Sequence, residues 1–338
     1  MDSRTRVINV LKHKSIDRFP RTLWLLPNVK VFRKEQHDEL FRNMDFDIAN
    51  PDLGFSKSRY EKGIQYMMPE YTDEFGCTFE VAEQGVVGEV KKAIFSDINN
   101  IDRYIMPYEI LESFNKDYVN RQCAVSDKFM LANTHIRPFE RAQFMRGTEE
   151  LFIDLATEEP KIKKLLSRLH HFYMKELEMV TRTDVDGFSF MDDWGTQISL
   201  LINPEIWREW FKPMYKDYCD LAHSRGKYVF FHSDGFIEQI YPDLIEIGVD
   251  AINSQLFCMD IEKLVDLYGD KICFWGEIDR QYILPFGTTE DVKKAVDRVA
   301  DAIIRKNKKR TGAFAQCEWN AFDPYDNMIT VFKHWDTK

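Results

Sequence analysis

Five short apolar runs in the second half of the chain end in groups that can do chemistry. DGFSFMDDWG (Asp186–Gly195) closes on Asp192 and Asp193, and YVFFHSDGF (Tyr228–Phe236) on His232 and Asp234. VDAINSQ (Val249–Gln255) offers Asn253 and Gln255, and KICFWGEID (Lys271–Asp279) offers Glu277 and Asp279. AFAQCEWN (Ala313–Asn320) carries Cys317, Glu318 and Asn320. An imidazole, a thiol and several carboxylates in one pocket are a ligand set that Zn²⁺ accepts, and three protein ligands leave a position open for substrate. Each residue also has an ordinary structural role. Asp192 and Asp193 suit turn or cap positions, Asp234-Gly235 is a turn dipeptide, and a lone cysteine in an apolar run is usually core. Trp24, Trp194, Trp275 and Trp319 serve either as core or as walls of an apolar pocket. The joint pattern carries the weight.

The elements between these runs show how they can converge. Helical patterns over Glu205–Gly226, Ile237–Gly248, Asp260–Asp270 and the TTEDVKKAVDRVADAIIRKN segment alternate with the runs. The last of these puts Val292, Ala295, Val296, Val299, Ala302 and Ile303 at helical spacing behind a Thr288-x-x-Asp291 capping pattern. The runs themselves are continuously apolar, as in parallel strands covered by helices on both faces. Repeated βα units give an open doubly wound sheet or a closed barrel. With no GxGxxG and no GxxxxGK[ST], the nucleotide-binding open sheets lack their fingerprint. The reading is an α/β fold, a (β/α)8 TIM barrel, whose chemistry sits at the C-terminal strand ends. In the first half, Thr22–Asn28, Asp45–Asp52 and Lys128–Ile136 are the candidate strands. A β-rich insertion of approximately 55–125 covers part of one mouth in a single domain of 1–338.

Composition sets the outer bounds. The net charge of −10 and the absence of a basic stripe argue against a nucleic-acid partner. Six scattered cysteines without CxxC spacing read as reduced thiols. The charged N-terminus and the lack of a long apolar run predict a soluble, cytoplasmic protein with no membrane partner, possible as a homodimer.

Several segments resemble the uroporphyrinogen decarboxylase superfamily, and within it the methyltransferase-like branch. They are SRTRVINVLKHKSIDRFPR near the start, RPFERAQFMRGTEELFIDLATEEP (Arg137–Pro160), DGFSFMDDWGTQISLLINPEIWREWFKPMYK (Asp186–Lys216), HSDGFIEQIYPDLIEIGVDAINSQ and FWGEIDRQYILPFGT. The resemblance spans nearly the whole chain and implies a (β/α)8 barrel with its cleft at the C-terminal mouth. True uroporphyrinogen decarboxylases resemble one another in an Arg-rich segment near the start. Here that region reads RTLWLLPN, leaving Arg21 alone to meet a substrate with many carboxylates. The zinc-bearing methyltransferases have an H-x-C…C pattern: His232 matches the His, Asp234 stands where the first Cys would be, and Cys317 matches the last Cys.

The expected metal ligands are therefore His232, Cys317 and one or both of Asp234 and Glu277, holding Zn²⁺. Asp193 or Asp192 positions substrate or supplies a proton, with Glu277 a further catalytic candidate. Gln197, Asn253, Gln255, Asn320, Trp24 and Trp275 are the candidate substrate contacts. The implied activity moves a methyl group between a small O- or N-methylated compound and a corrinoid on a separate partner protein. A metal-independent decarboxylase of a small acid, and a non-catalytic ligand- or corrinoid-binding barrel, are the alternatives.

Overall fold

The computed structural model describes residues 1–338 and contains eleven strands. In chain order they are β1 (Arg21–Leu25), β2 (Ile48–Ala49), β3 (Glu70–Thr72), β4 (Thr78–Glu80), β5 (Glu89–Val90), β6 (Phe129–Asn133), β7 (Gly187–Met191), β8 (Tyr228–Ser233), β9 (Ala251–Ser254), β10 (Cys273–Phe274) and β11 (Ala315–Trp319). β2, β6, β7, β8, β9 and β10 lie side by side in that order, and β1 pairs with β11, all in parallel. A parallel bridge between Phe274 and Ala313 joins β10 to β11. The Asp47 N–H donates to the Arg21 carbonyl at 2.9 Å and joins β1 to β2. The eight parallel strands thus form a closed ring in sequence order, each followed by helix, as the barrel reading expects.

Apolar runs buried on both faces make the ring from β6 to β11, whereas β1 and β2 are mostly half-buried. β9 is buried throughout, and β8 from its second residue onward. The helix Thr289–Asn307 starts on the expected capping box. Thr288 Oγ1 accepts from the Asp291 N–H at 3.2 Å, and Asp291 Oδ2 accepts from the Thr288 N–H at 3.0 Å. Its buried face includes all six residues expected from spacing. Other elements are shorter than expected. The Glu205–Gly226 pattern divides into helices Pro204–Trp210 and Lys212–Ser224, because Pro213 has no N–H to continue the ladder. Strand pairing in the Lys271–Asp279 run covers only Cys273–Phe274, and the following residues leave the ring as a loop.

Between β2 and β6 the chain leaves the barrel. β3, β4 and β5 form a small antiparallel sheet over residues 70–90, and short helices and irregular chain make up the rest of the excursion. The sheet is pinned to the helix Pro138–Arg146. Arg141 pairs with Asp73 and, at 2.7 Å, with Glu74, while its guanidinium lies 4.2 Å from the Phe75 ring centre. Phe79 meets Phe144 edge-on at 5.1 Å.

The seam between β1 and β2 is electrostatic as well as hydrogen-bonded. The Asp47 side chain is fully buried and accepts from Arg6, from Arg18 Nη1 at 2.6 Å and from the Arg21 N–H at 2.7 Å. Arg6 also pairs with Asp17, which is about half exposed. Asp47→Ala leaves the Arg18 guanidinium and the Arg21 N–H without their carboxylate and removes one of the two that Arg6 has, and we expect a loss of about 3–5 kcal/mol in denaturant unfolding. Asp17→Ala, at the wet end of the same chain of pairs, should cost no more than about 1 kcal/mol.

Candidate functional site

β7, β8 and β9 are in register across the mouth: Met191 is opposite His232, and His232 is opposite Asn253. This levels the ends of three strands and brings Asp193, His232 and Asp234 together. Their ligand-type atoms lie within 4.8 Å of one another. His232 Nε2 is 3.5 Å from Asp193 Oδ1 and 3.4 Å from Asp234 Oδ1.

The loops holding these residues are zipped together. The Trp194 N–H donates to Ser233 Oγ at 3.0 Å, Gly195 N–H to the Asp234 carbonyl at 3.1 Å, and Phe236 N–H to the Thr196 carbonyl at 2.7 Å. Gly235, at φ +80°, lies with its Cα against the Gly195 backbone where a Cβ has no room. The glycine after His-Ser-Asp is there so that the two loops can touch. Their contact also turns the Asp234 N–H toward Asp193 Oδ1 at 2.8 Å.

The imidazole has a fixed tautomer. Asn253 Nδ2 donates to the Trp275 carbonyl, which turns Asn253 Oδ1 toward His232 Nδ1 at 2.6 Å. Nδ1 therefore carries hydrogen, and Nε2 faces the two carboxylates. Trp24 covers the ring, with centroids 4.6 Å apart. Asp234 Oδ1, the atom aimed at Nε2, is buried and has no hydrogen-bond partner. Asp234 Oδ2 is taken by Arg280, whose Nη1 reaches Glu318 Oε2 at 2.7 Å and whose Nε lies 3.3 Å from Glu277 Oε1. Burial pushes the Asp193 pKa up, and the neighbouring Asp234 charge adds to it. Three acceptor atoms thus converge, and among them only Asp193 Oδ1 has a donor, the Asp234 N–H. A proton on Nε2 or a divalent cation between them relieves the repulsion.

The cluster lines one lobe of a cleft, about 540 Å³, walled by Trp24, Tyr66, Tyr71 and Phe79 and by Arg137, Glu140 and Arg280. The β3–β5 sheet supplies Tyr71 and Phe79, so the excursion forms one side of the cleft. A second lobe of about 530 Å³ shares Trp24, Thr134, Arg137 and Met191 with the first and includes Trp275. Glu140 Oε2 is buried without a partner, and burial together with the Asp193 charge pushes its pKa up to about 8.

The expected site residues divide. Trp24, Trp275, Asp193, His232, Asn253 and Asp234 are at the cleft or hold its residues in place. Cys317 is not part of the cluster. Glu318 reaches the cleft, so strand alternation turns its neighbour Cys317 to the outer face. There burial pushes the thiol pKa well above its usual value. Asp192, also fully buried, points away from Asp193 and caps a helix. It accepts from the Phe139 and Glu140 N–H groups at 3.0 and 2.8 Å and from Tyr215 Oη at 2.5 Å. Burial pushes its pKa up to about 7 against the pull of these donors.

Glu277, buried and raised in pKa by burial against the pull of Arg280, stands behind Arg280 rather than among the cluster atoms. It opens with Gln197 and Gln255, which bond to each other at 3.2 Å, onto a separate shallow depression. Asn320 accepts from Asn28 Nδ2 at 3.1 Å and braces the loop after β11. Arg280, Glu140 and Arg137 were not anticipated. The signal for Arg280 was electrostatic: so many carboxylates at strand ends require a buried counter-cation, and Arg280 follows Glu277 by three residues.

A closed parallel barrel with titratable groups gathered at the C-terminal mouth defines the (β/α)8 class whose sites lie at that face. The family model described as uroporphyrinogen decarboxylase (URO-D) matches residues 67–314, and the chain belongs to that family. Among solved structures, a methyltransferase from Methanosarcina mazei is 12% identical with a TM-score of 0.74, covering 100% of this chain and 99% of that one. At that identity the likeness is one of fold. Two xylanases are more distant. The Gloeophyllum trabeum enzyme is 10% identical with a TM-score of 0.45, covering 94% of this chain and 96% of that one. Xylanase 10B from Thermotoga maritima is 9% identical at 0.43, covering 100% of both chains. No curated protein matches the chain. No helix is long and apolar enough to cross a membrane.

Asp192→Asn tests the division between neighbouring aspartates. An amide sets its own N–H against one of three donors, so we expect a loss of about 1–3 kcal/mol in unfolding free energy. Metal content and ligand affinity of the folded variant should match the unsubstituted protein.

Proposed function

We propose that the chain is a metal-dependent methyltransferase that takes a methyl group from a small O- or N-methylated compound and passes it to a corrinoid on a separate protein. The observation that carries this reading is the Asp193–His232–Asp234 cluster, with its orphaned Asp234 Oδ1 and its imidazole held by Asn253. Zinc bonds to nitrogen and oxygen of about 2.1 Å in a tetrahedral site put ligand atoms about 3.4 Å apart. The two separations from Nε2, 3.4 and 3.5 Å, agree with that spacing. The corrinoid acceptor is drawn from the resemblance to the methyltransferase-like branch.

Zinc held there would supply Lewis acidity toward the heteroatom of the methylated compound. The chain's own residues do the rest. Asp193 and Asp234 offer one oxygen each, and Asn253, by accepting from Nδ1, leaves the Nε2 lone pair of the neutral ring toward them. Arg280 holds the second oxygen of Asp234, leaving Oδ1 toward the cluster. As the methyl carbon leaves, its bond electrons stay on the heteroatom, which then takes a proton. Glu140 lines the same lobe and in its protonated form can donate it. Trp24 and the small sheet shield the site from water on two sides.

The alternative is a metal-free decarboxylase of a small acid. It is favoured by Arg280, which already neutralises part of the carboxylate charge, and by the same three-acceptor cluster if Nε2 is protonated. Elemental analysis of anaerobically purified protein separates the two. We expect about one zinc per chain, lost in His232→Ala and in Asp234→Asn and kept in Cys317→Ala, because the thiol faces away. The intact protein should also methylate reduced cobalamin from a suitable donor, and His232→Ala should not. Absence of zinc even after reconstitution would remove the Lewis-acid mechanism and leave the decarboxylase.

A further inference from the structure

The cations that line the cleft differ in how they are employed. Arg141 is satisfied by Asp73 and Glu74, and Arg280 by Asp234, Glu318 and Glu277. Arg137 is different. Its guanidinium makes no hydrogen bond within the protein, and its nearest carboxylate, Glu140 Oε2, is 4.0 Å away, beyond hydrogen-bonding reach. Yet it is only partly exposed and belongs to the wall of both lobes. A planar fork of N–H donors left without partners in a half-buried wall suits a carboxylate, which takes two parallel hydrogen bonds from it.

The second lobe says what the carboxylate is attached to. Past Arg137 it presents Trp24, Phe46, Leu131 and Trp275 together with the polar side chains of Thr22, Asn50, Asn133 and Ser189. Its volume of about 530 Å³ suits a small molecule, and the indoles of Trp24 and Trp275, packed 6.0 Å apart with their planes tilted by 43°, give one wall an aromatic surface on which a ring can lie. A polyanion finds no second guanidinium free in this cleft. Lys30 also lines the lobe but is exposed.

We propose that Arg137 is the carboxylate anchor of the cleft, and that its substrate is a small organic acid with one carboxylate and an apolar, aromatic-sized body seated against Trp24 and Trp275. The inference rests on the proposed function in one respect, that substrate binds in this cleft. It does not depend on the metal or on the corrinoid.

The test is therefore a binding experiment on the full chain, treated with chelator so that no acid is held through a metal. Benzoate, 4-methoxybenzoate and phenylacetate are each titrated beside the corresponding uncharged amide, by calorimetry and by tryptophan fluorescence. At least one acid should bind about tenfold or more tighter than its amide. Arg137→Gln should abolish that preference, Arg137→Lys should keep part of it, and Lys30→Gln should leave it unchanged. Thermal unfolding checks that each variant is folded. If Arg137→Gln does not fold, the acid–amide comparison in the unsubstituted protein and the Arg137→Lys variant decide. The proposal is overturned if no acid is preferred over its amide, if the preference survives in Arg137→Gln, or if it is lost in Lys30→Gln instead. Zinc content is measured separately, so failure of the metal reading and failure of the anchor give different results.

Discussion

Asp47 is fully buried, and donors from three places along the chain converge on its carboxylate. Arg6 comes from the helix Ser3–Leu11, Arg18 from the segment before β1, and the Arg21 N–H from β1 itself. The same residue's backbone ties β2 to both neighbours, through Arg21 on one side and Phe129 on the other. β2 is only two residues long and cannot hold the ring shut with ladder hydrogen bonds alone. A buried ion pair is a costly device, but its geometric demands are strict. Here it fixes which strand follows which. Every relation at the mouth depends on that order: Trp24 comes to lie over His232, and Glu318 comes within reach of Arg280 because β1 and β11 complete the circle.

Carboxylates at the mouth share their counter-cations. Asp73 and Glu74 are met by Arg141 and serve to hold the small sheet. Asp234, Glu277 and Glu318 share Arg280. Asp192 has no counter-cation, is held by hydrogen bonds alone and serves the helix Pro138–Arg146. What remains is the set with chemical capacity: His232 between Asp193 and Asp234, an unpartnered oxygen on Glu140, and the guanidinium of Arg137. Unsatisfied groups in a native interior call for a reason, and ligand binding supplies one.

Much of this architecture was legible in the sequence. Continuous apolar runs, helical spacing between them and a capping pattern at Thr288 were enough for the parallel barrel, and polar residues at successive strand ends located the mouth. Facing was not legible. Cys317 and Glu318 are one residue apart, and in a strand one residue is the difference between the cleft and the outer layer. The H-x-C…C comparison aligned the thiol by position, but alternation decides which side chain enters. Asp192 and Asp193 pose the same problem in a loop, where no period applies; only the distant N–H groups of Phe139 and Glu140 reveal which of them is occupied. Arg280 and Glu277 sit in a loop after a strand of two residues, so nothing local showed that the arginine would stand between the glutamate and the cluster.

The outward turn of Cys317 leaves a cluster built of one imidazole and two carboxylates. No thiol lines either lobe of the cleft. Thiolates are the ligands and nucleophiles that peroxide attacks first, passing through sulfenic to irreversible sulfinic and sulfonic acids. Imidazole and carboxylate groups have no such ladder to descend. The donor atoms of this cluster are therefore resistant to oxidants that would modify a thiolate at the same place.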